Sequence, residues 1–204
     1  MPNWCSNVAT LTHKDPTMVA RLIKAADENT GVLNEFIPIP EDLRIEKGFF
    51  SDNAKQAELD AKGQANLKKY GYKDWYDFSV NEWGTKWDLC DVTATQPFDD
   101  TVLLHFDTAW SPPIEAYQKL EALGFEILAY YYEPGMQFAG IYQDGNDDCY
   151  QDWGDSKGAE ATLPDELDET FEISVNQAMW EDEDKEEVQV WYEDGVKKLE
   201  EKAE

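Results

Sequence analysis

Histidine is nearly missing from this chain, and both cysteine and basic side chains are scarce. Two histidines (His13 and His105) and three cysteines (Cys5, Cys90 and Cys149) occur among 204 residues. Three scattered cysteines cannot build a disulfide framework, a cysteine-only zinc site or an iron–sulfur cluster. They read as reduced thiols without a bridge between them, and no metal or other cofactor is expected. No apolar run reaches membrane length and no signal peptide is recognisable, so a cytoplasmic protein is expected. Seventeen Lys and Arg stand against 44 Asp and Glu, a net charge of −27. Such a surface repels nucleic acid and anionic membranes and attracts basic partners.

Against these absences stands an aromatic content of 13%, which argues for a folded body despite the charge. The clearest signal is 101–133, which reads as strand, helix, strand. Val102, Leu104 and Phe106 alternate with Leu103, His105 and Asp107, the period of a strand. Ser111 is expected to cap a helix, with Pro112 in its first position. Ile114, Tyr117, Leu120 and Leu123 follow at helical spacing, and Gly124 suits the helix end. The run from Phe125 to Tyr132 is apolar on both faces and reads as a central strand.

The chain begins in the same way. Residues 3–13 read as a strand, Asp15-Pro16 repeats the cap-plus-proline device, and Val19, Leu22, Ile23 and Ala26 form one helical stripe. Prolines 38 and 40 bar the apolar run Phe36–Pro40 from a central strand. The polar stretch 51–69 reads as an exposed helix or mobile insertion, and 74–83 as a short aromatic-faced helix. Residues 89–95 alternate as a strand. The order is β-α-β-β-α-β, an α+β fold of ferredoxin-like type, one antiparallel sheet in the order 4-1-3-2 with both helices on one face. The segment 32–88 counts as an insertion. Residues 138–142 should add an edge strand, and 144–155 a loop or irregular hairpin. A domain over 1–155 and an acidic extension over 156–204 are expected, the extension partly helical with Tyr192, Val196 and Leu199 on one stripe.

Charge is unevenly spread. Residues 144–204 hold 22 acids and 5 bases, a net of −17, while residues 1–143 hold 22 acids and 12 bases, a net of −10. Eleven of the acids fall within 181–204. As a helix at ~1.5 Å per residue, that segment would carry about one carboxylate per ~3.3 Å, near the ~3.4 Å charge spacing along one DNA strand. A solvated tail that confers solubility is the plain alternative.

Five separated motifs occur in order: Pro2–Asn7, Glu35–Pro40, Trp83–Asp88, Thr108–Pro113 and Tyr131–Met136. Over roughly residues 1–155 they resemble the phage and plasmid family carrying a YubB-type (Api-like) ferredoxin-like domain. The resemblance implies a mobile-element origin, hence the cytoplasm of a host cell, and the same topology. It hands over no catalytic residues.

Three constellations remain. Trp4, Asn7, Trp83, Lys86, Trp87 and Trp110 fall in these motifs and could line a ligand pocket, or fill the core. Cys90, His105, Asp107 and Asp88 could form a nucleophilic site on neighbouring strands, although a strand histidine beside a carboxylate is more often structural. Asp144, Asp147, Asp148 and Asp152 lack the order of a calcium loop. The leading expectation is a non-enzymatic acidic binding protein, a DNA-mimic-like inhibitor. It would hold a basic host protein of nucleic-acid handling or defence through Glu181, Asp182, Glu183, Asp184, Glu186, Glu187, Glu193 and Asp194. The alternative is a small enzyme or ligand-binding module with a pocket near Cys90, His105 and Asp107.

Overall fold

A computed structural model describes residues 3–28 and 30–183. These form two compact units, divided between Cys149 and Tyr150. In the first unit the order is β1 (Trp4–Thr12), α1 (Pro16–Asp27), α2 (Val32–Phe36), α3 (Asn53–Tyr70), α4 (Trp75–Glu82), β2 (Cys90–Phe98), β3 (Thr101–Ala109), α5 (Ile114–Ala122), β4 (Glu126–Glu133) and β5 (Phe138–Gln143). Strand β6 (Asn146–Gln151) carries the chain into the second unit, where α6 (Ser156–Thr162) and α7 (Asp165–Phe171) follow. Residues 173–183 are also helical.

The six strands form one sheet in the order β2-β3-β1-β4-β5-β6, so the first four run 4-1-3-2 as expected, while β5, expected at the edge, is covered by β6. β1 pairs antiparallel with β3 and β4, as do β2 with β3 and β4 with β5, and Ala9 on β1 lies between Leu104 on β3 and Ala129 on β4. Alternation explains which face is apolar: Ala9, Leu11, Val102, Leu104, Ile127 and Ala129 project to one side. That side meets Val19 and Leu22 of α1 and Ala116, Tyr117 and Leu120 of α5 in one continuous core. Both helices therefore cover the same face, and the fold is ferredoxin-like.

The start of α1 follows its sequence signal. The Asp15 side chain accepts from Thr17 N–H at 2.9 Å, and Pro16 occupies the first turn. Helix α5 departs from its signal. It begins at Ile114 after Pro113, and the Ser111 hydroxyl donates to Gly84 C=O at 2.6 Å instead of capping. Two successive prolines push the helix start beyond the reach of Ser111. Residues 53–70 form a helix capped by Asp52, which settles the polar stretch in favour of helix. Of the loop or irregular hairpin expected after Asp144, the structure has the hairpin: Asp144 and Gly145 both hold positive φ (50° and 76°), which suits a tight two-residue turn.

Candidate functional site

The segment Trp83-Gly84-Thr85-Lys86-Trp87-Asp88 joins α4 to β2, and most of it is tied down. Trp83 is buried, and its indole N–H donates to Ile37 C=O at 3.0 Å. Gly84 sits at φ 81°, and a β-carbon there would collide with the Glu115 carboxylate on α5. The Thr85 hydroxyl lies against Ala109 at the end of β3. At the far end, the Asp88 carboxylate accepts from Leu33 N–H (2.9 Å), Asn34 N–H (2.8 Å) and Leu89 N–H (2.8 Å), which closes the start of α2. Burial lifts the Asp88 carboxyl above its usual range, and these donors oppose the lift.

Lys86 and Trp87 are the two residues of this segment that project outward. The Lys86 ammonium lies 4.4 Å from the Trp87 ring centroid and 4.9 Å from that of Trp110. Trp4 closes the cluster, its ring centroid 6.1 Å from that of Trp87. Trp4, Trp87 and Trp110 remain 40%, 36% and 45% exposed. Trp110 holds φ at 72°, a rare conformation for a bulky side chain, while its N–H donates to Asn3 C=O at 2.9 Å. Beside Lys86 and Trp87 opens a cleft of about 690 Å³, lined also by Asn34, Ile39, Arg44, Glu46, Trp75, Ser79 and Leu89.

The aromatic group expected from sequence thus divides. Trp4, Lys86, Trp87 and Trp110 come together at the surface. Trp83 belongs to the core, with one edge at the cleft, and Asn7 is buried under the sheet. The Asn7 amide donates to Cys5 C=O (2.7 Å) and the Thr108 hydroxyl (2.9 Å), a structural role. Trp75 and Arg44, which complete the cleft, were not anticipated. The Trp75–Tyr76 aromatic pair was read only as a helix face, and Arg44 becomes a neighbour through the cap that Asp88 places on α2.

Strand register sets Cys90 beside Asp107 and leaves His105 two residues along the same face of β3. His105 pairs with Thr93 on β2 and Val8 on β1. The Asp107 carboxylate accepts from the Ser6 hydroxyl at 3.0 Å. Burial, with Asp91, Asp88 and Asp107 nearby, raises the Cys90 thiol above its ordinary range, the direction that disfavours a thiolate. Asp88 serves the α2 cap. Asp147, from the aspartate-rich turn, accepts from the Tyr131 hydroxyl at 2.7 Å. Among the described residues no group of three His, Cys, Asp or Glu side chains is placed to hold a metal ion, and no helix is long and apolar enough to cross a membrane.

Of the acidic candidates, Glu181, Asp182 and Glu183 are described. Glu181 is committed within its own unit: its carboxylate accepts from Ser156 N–H at 2.8 Å and the Ser156 hydroxyl at 2.9 Å, at the start of α6. Asp184, Glu186, Glu187, Glu193 and Asp194 lie outside the described residues, as does the stripe of Tyr192, Val196 and Leu199. The described part of the second unit, residues 150–183, contains eleven acids (Asp152, Asp155, Glu160, Asp165, Glu166, Asp168, Glu169, Glu172, Glu181, Asp182, Glu183) and one base, Lys157.

Residues 82–175 match the model of a family described as the ferredoxin-like domain in Api92-like protein. The match begins at the last residue of α4 and runs through strands β2–β6 into the second unit. Among solved structures, the crystal structure of a protein api92 from Yersinia pseudotuberculosis is similar, with 12% sequence identity and a TM-score of 0.41. The similarity covers 74% of this chain and 98% of that one. No curated protein matches the chain.

Proposed function

We propose that this chain is a phage- or plasmid-encoded acidic binding protein. It docks against a basic surface of a host nucleic-acid-handling or defence protein and holds that surface with carboxylates in place of phosphates. The observation that carries the reading is the charge of the second unit, whose described residues set eleven acids against a single lysine. Such an imbalance is not needed to hold helices together. Asp155, Asp168 and Glu181 bond to local donors at Gly158, Ser174 and Ser156, and three such acids are enough for that task. In the first unit the cations are largely engaged: Arg21, Lys47, Lys69 and Lys119, for example, already pair with carboxylates. The outward field is therefore negative, and it favours fast, salt-sensitive association with a basic partner.

The test is capture from host lysate on the immobilised protein at low and high salt, with duplex DNA as competitor. Basic nucleic-acid-binding proteins should be retained at low salt and released by either high salt or DNA. Retention that neither treatment reverses, or capture of acidic proteins only, would contradict the reading.

A further inference from the structure

We propose that the cleft beside Trp87 is a binding site for a small planar anion, a flat aromatic ring carrying a carboxylate or phosphate. The site is separate from the acidic surface and does not depend on it. Its volume, about 690 Å³, is in the range of small-molecule sites. Indoles of Trp75, Trp83 and Trp87 line it, and indole faces favour offset stacking with flat rings.

The cleft does not share the net acidity of the rest of the molecule, because its two carboxylates are matched by two cations. Its two carboxylates are occupied: Asp88 by three backbone N–H groups, and Glu46 by Lys55 at 2.5 Å. Its two cations keep donors. Arg44 uses one amino group on Asn34 Oδ1 at 2.8 Å and its Nε toward Glu41 at 3.5 Å. A guanidinium has five N–H donors, so others remain for a ligand. Lys86 is within ion-pair distance of no carboxylate among the described residues and rests on two indole faces instead. In a chain of net charge −27, a lysine kept on aromatic rings is a focused positive site.

The backbone supports the same conclusion. Trp110 is held in the left-handed region at φ 72°, where bulky side chains are rare, and from there its ring reaches Lys86. Strain of this kind clusters at ligand sites. Gly84, Thr85 and Asp88 fix the segment on both sides of Lys86 and Trp87, so the ammonium and the ring are positioned before a ligand arrives. Preorganisation of this sort favours affinity.

Titration calorimetry on the full chain tests the site, with adenosine monophosphate and 1-naphthoate as probes and adenosine as the uncharged control. At least one of the two anions should bind saturably, and adenosine should bind much more weakly. Whichever anion binds identifies the headgroup as phosphate or carboxylate. Lys86→Gln should weaken binding roughly tenfold or more, as loss of a charge-assisted contact implies, and Lys86→Arg should retain it. Lys86 holds no backbone group, so both variants should stay folded, with Lys86→Gln at most slightly less stable for its lost contacts with the two indoles. No saturable binding of either anion, equal binding of adenosine, or unchanged affinity in Lys86→Gln would overturn the proposal.

Discussion

The Thr85 hydroxyl and the backbone of Ala109 pair as two strands would. The Thr85 oxygen accepts from Ala109 N–H at 3.2 Å and donates to Ala109 C=O at 3.2 Å. One side chain thereby extends the sheet beyond β3 and anchors the segment that carries Lys86 and Trp87. Thr85 is 1% exposed, so water cannot replace it. Thr85→Val keeps the shape and removes both bonds. It should cost about 2–3 kcal/mol by leaving two buried backbone groups unpaired, while Thr85→Ser should cost under about half as much. Urea denaturation of the three proteins checks this, and equal stability of parent and Thr85→Val would contradict it.

Asp88 carries a related prediction across a longer span. Its carboxylate closes the start of α2 from 54 residues away in sequence. Asp88→Ala should destabilise by about 2–3 kcal/mol, since Leu33 and Asn34 lose their acceptor. Asp88→Asn keeps one acceptor oxygen and should fall between. Amide exchange at Leu33 and Asn34 should accelerate in Asp88→Ala; unchanged protection there would argue against the cap.

The tyrosines set an alkaline limit. The Glu82 hydrogen bond, helped by burial, pushes the Tyr72 hydroxyl up to about 12. Burial and then Asp147 raise Tyr131, and burial and then Glu121 raise Tyr142. A folded chain thus keeps protons that the unfolded chain releases near pH ~10. Stability should be unaffected below about pH 10 and decline above it, through about pH 12 for Tyr72. Ultraviolet titration should show a late, unfolding-linked class of tyrosines. Ionisation of all ten together near pH ~10 with the fold intact would contradict this.

The thiols should differ sharply in reactivity. Cys5 is fully buried, with its thiol pushed up chiefly by burial, and Cys149 is exposed. A maleimide at neutral pH should label Cys149 first, Cys90 slowly, and Cys5 after denaturation. Early labelling of Cys5 in folded protein would show that the β1 end of the core opens.

Much of the fold was legible because its signals are local. Asp15-Pro16 starts α1 where the residues say, and alternation from Val102 to Phe106 marks β3. Ser111-Pro112 misled because the second proline, Pro113, shifts the helix start and frees the serine for Gly84. Asp144-Gly145 marks the hairpin that was one of the two readings of 144–155. The site was half legible. Trp4, Lys86, Trp87 and Trp110 could be grouped by motif, but Trp83 differs from Trp87 only in three dimensions, through its bond to Ile37. Arg44 was hidden because it reaches the cleft through Asn34, which Asp88 holds from 54 residues away, and no periodicity records that. Gly140 is similar: a β-carbon there would collide with the Tyr131 ring, a contact set by strand register alone.

One measurement tests the acidic surface directly. Asp182, Glu183, Asp184, Glu186, Glu187, Glu193 and Asp194 are changed together to Asn and Gln, while Glu181 is kept for its bonds to Ser156. The affinity of parent and variant for the captured host partner is then measured from low to high salt. Asp182 and Glu183 are exposed, and exposed carboxylates contribute little to stability, so the variant should stay folded, which thermal melting checks. The variant should bind roughly a hundredfold more weakly at low salt, with a shallower salt dependence and a slower on-rate. Equal affinity and equal salt dependence in the two proteins would contradict the account and leave the acidic segment as a solubilising one.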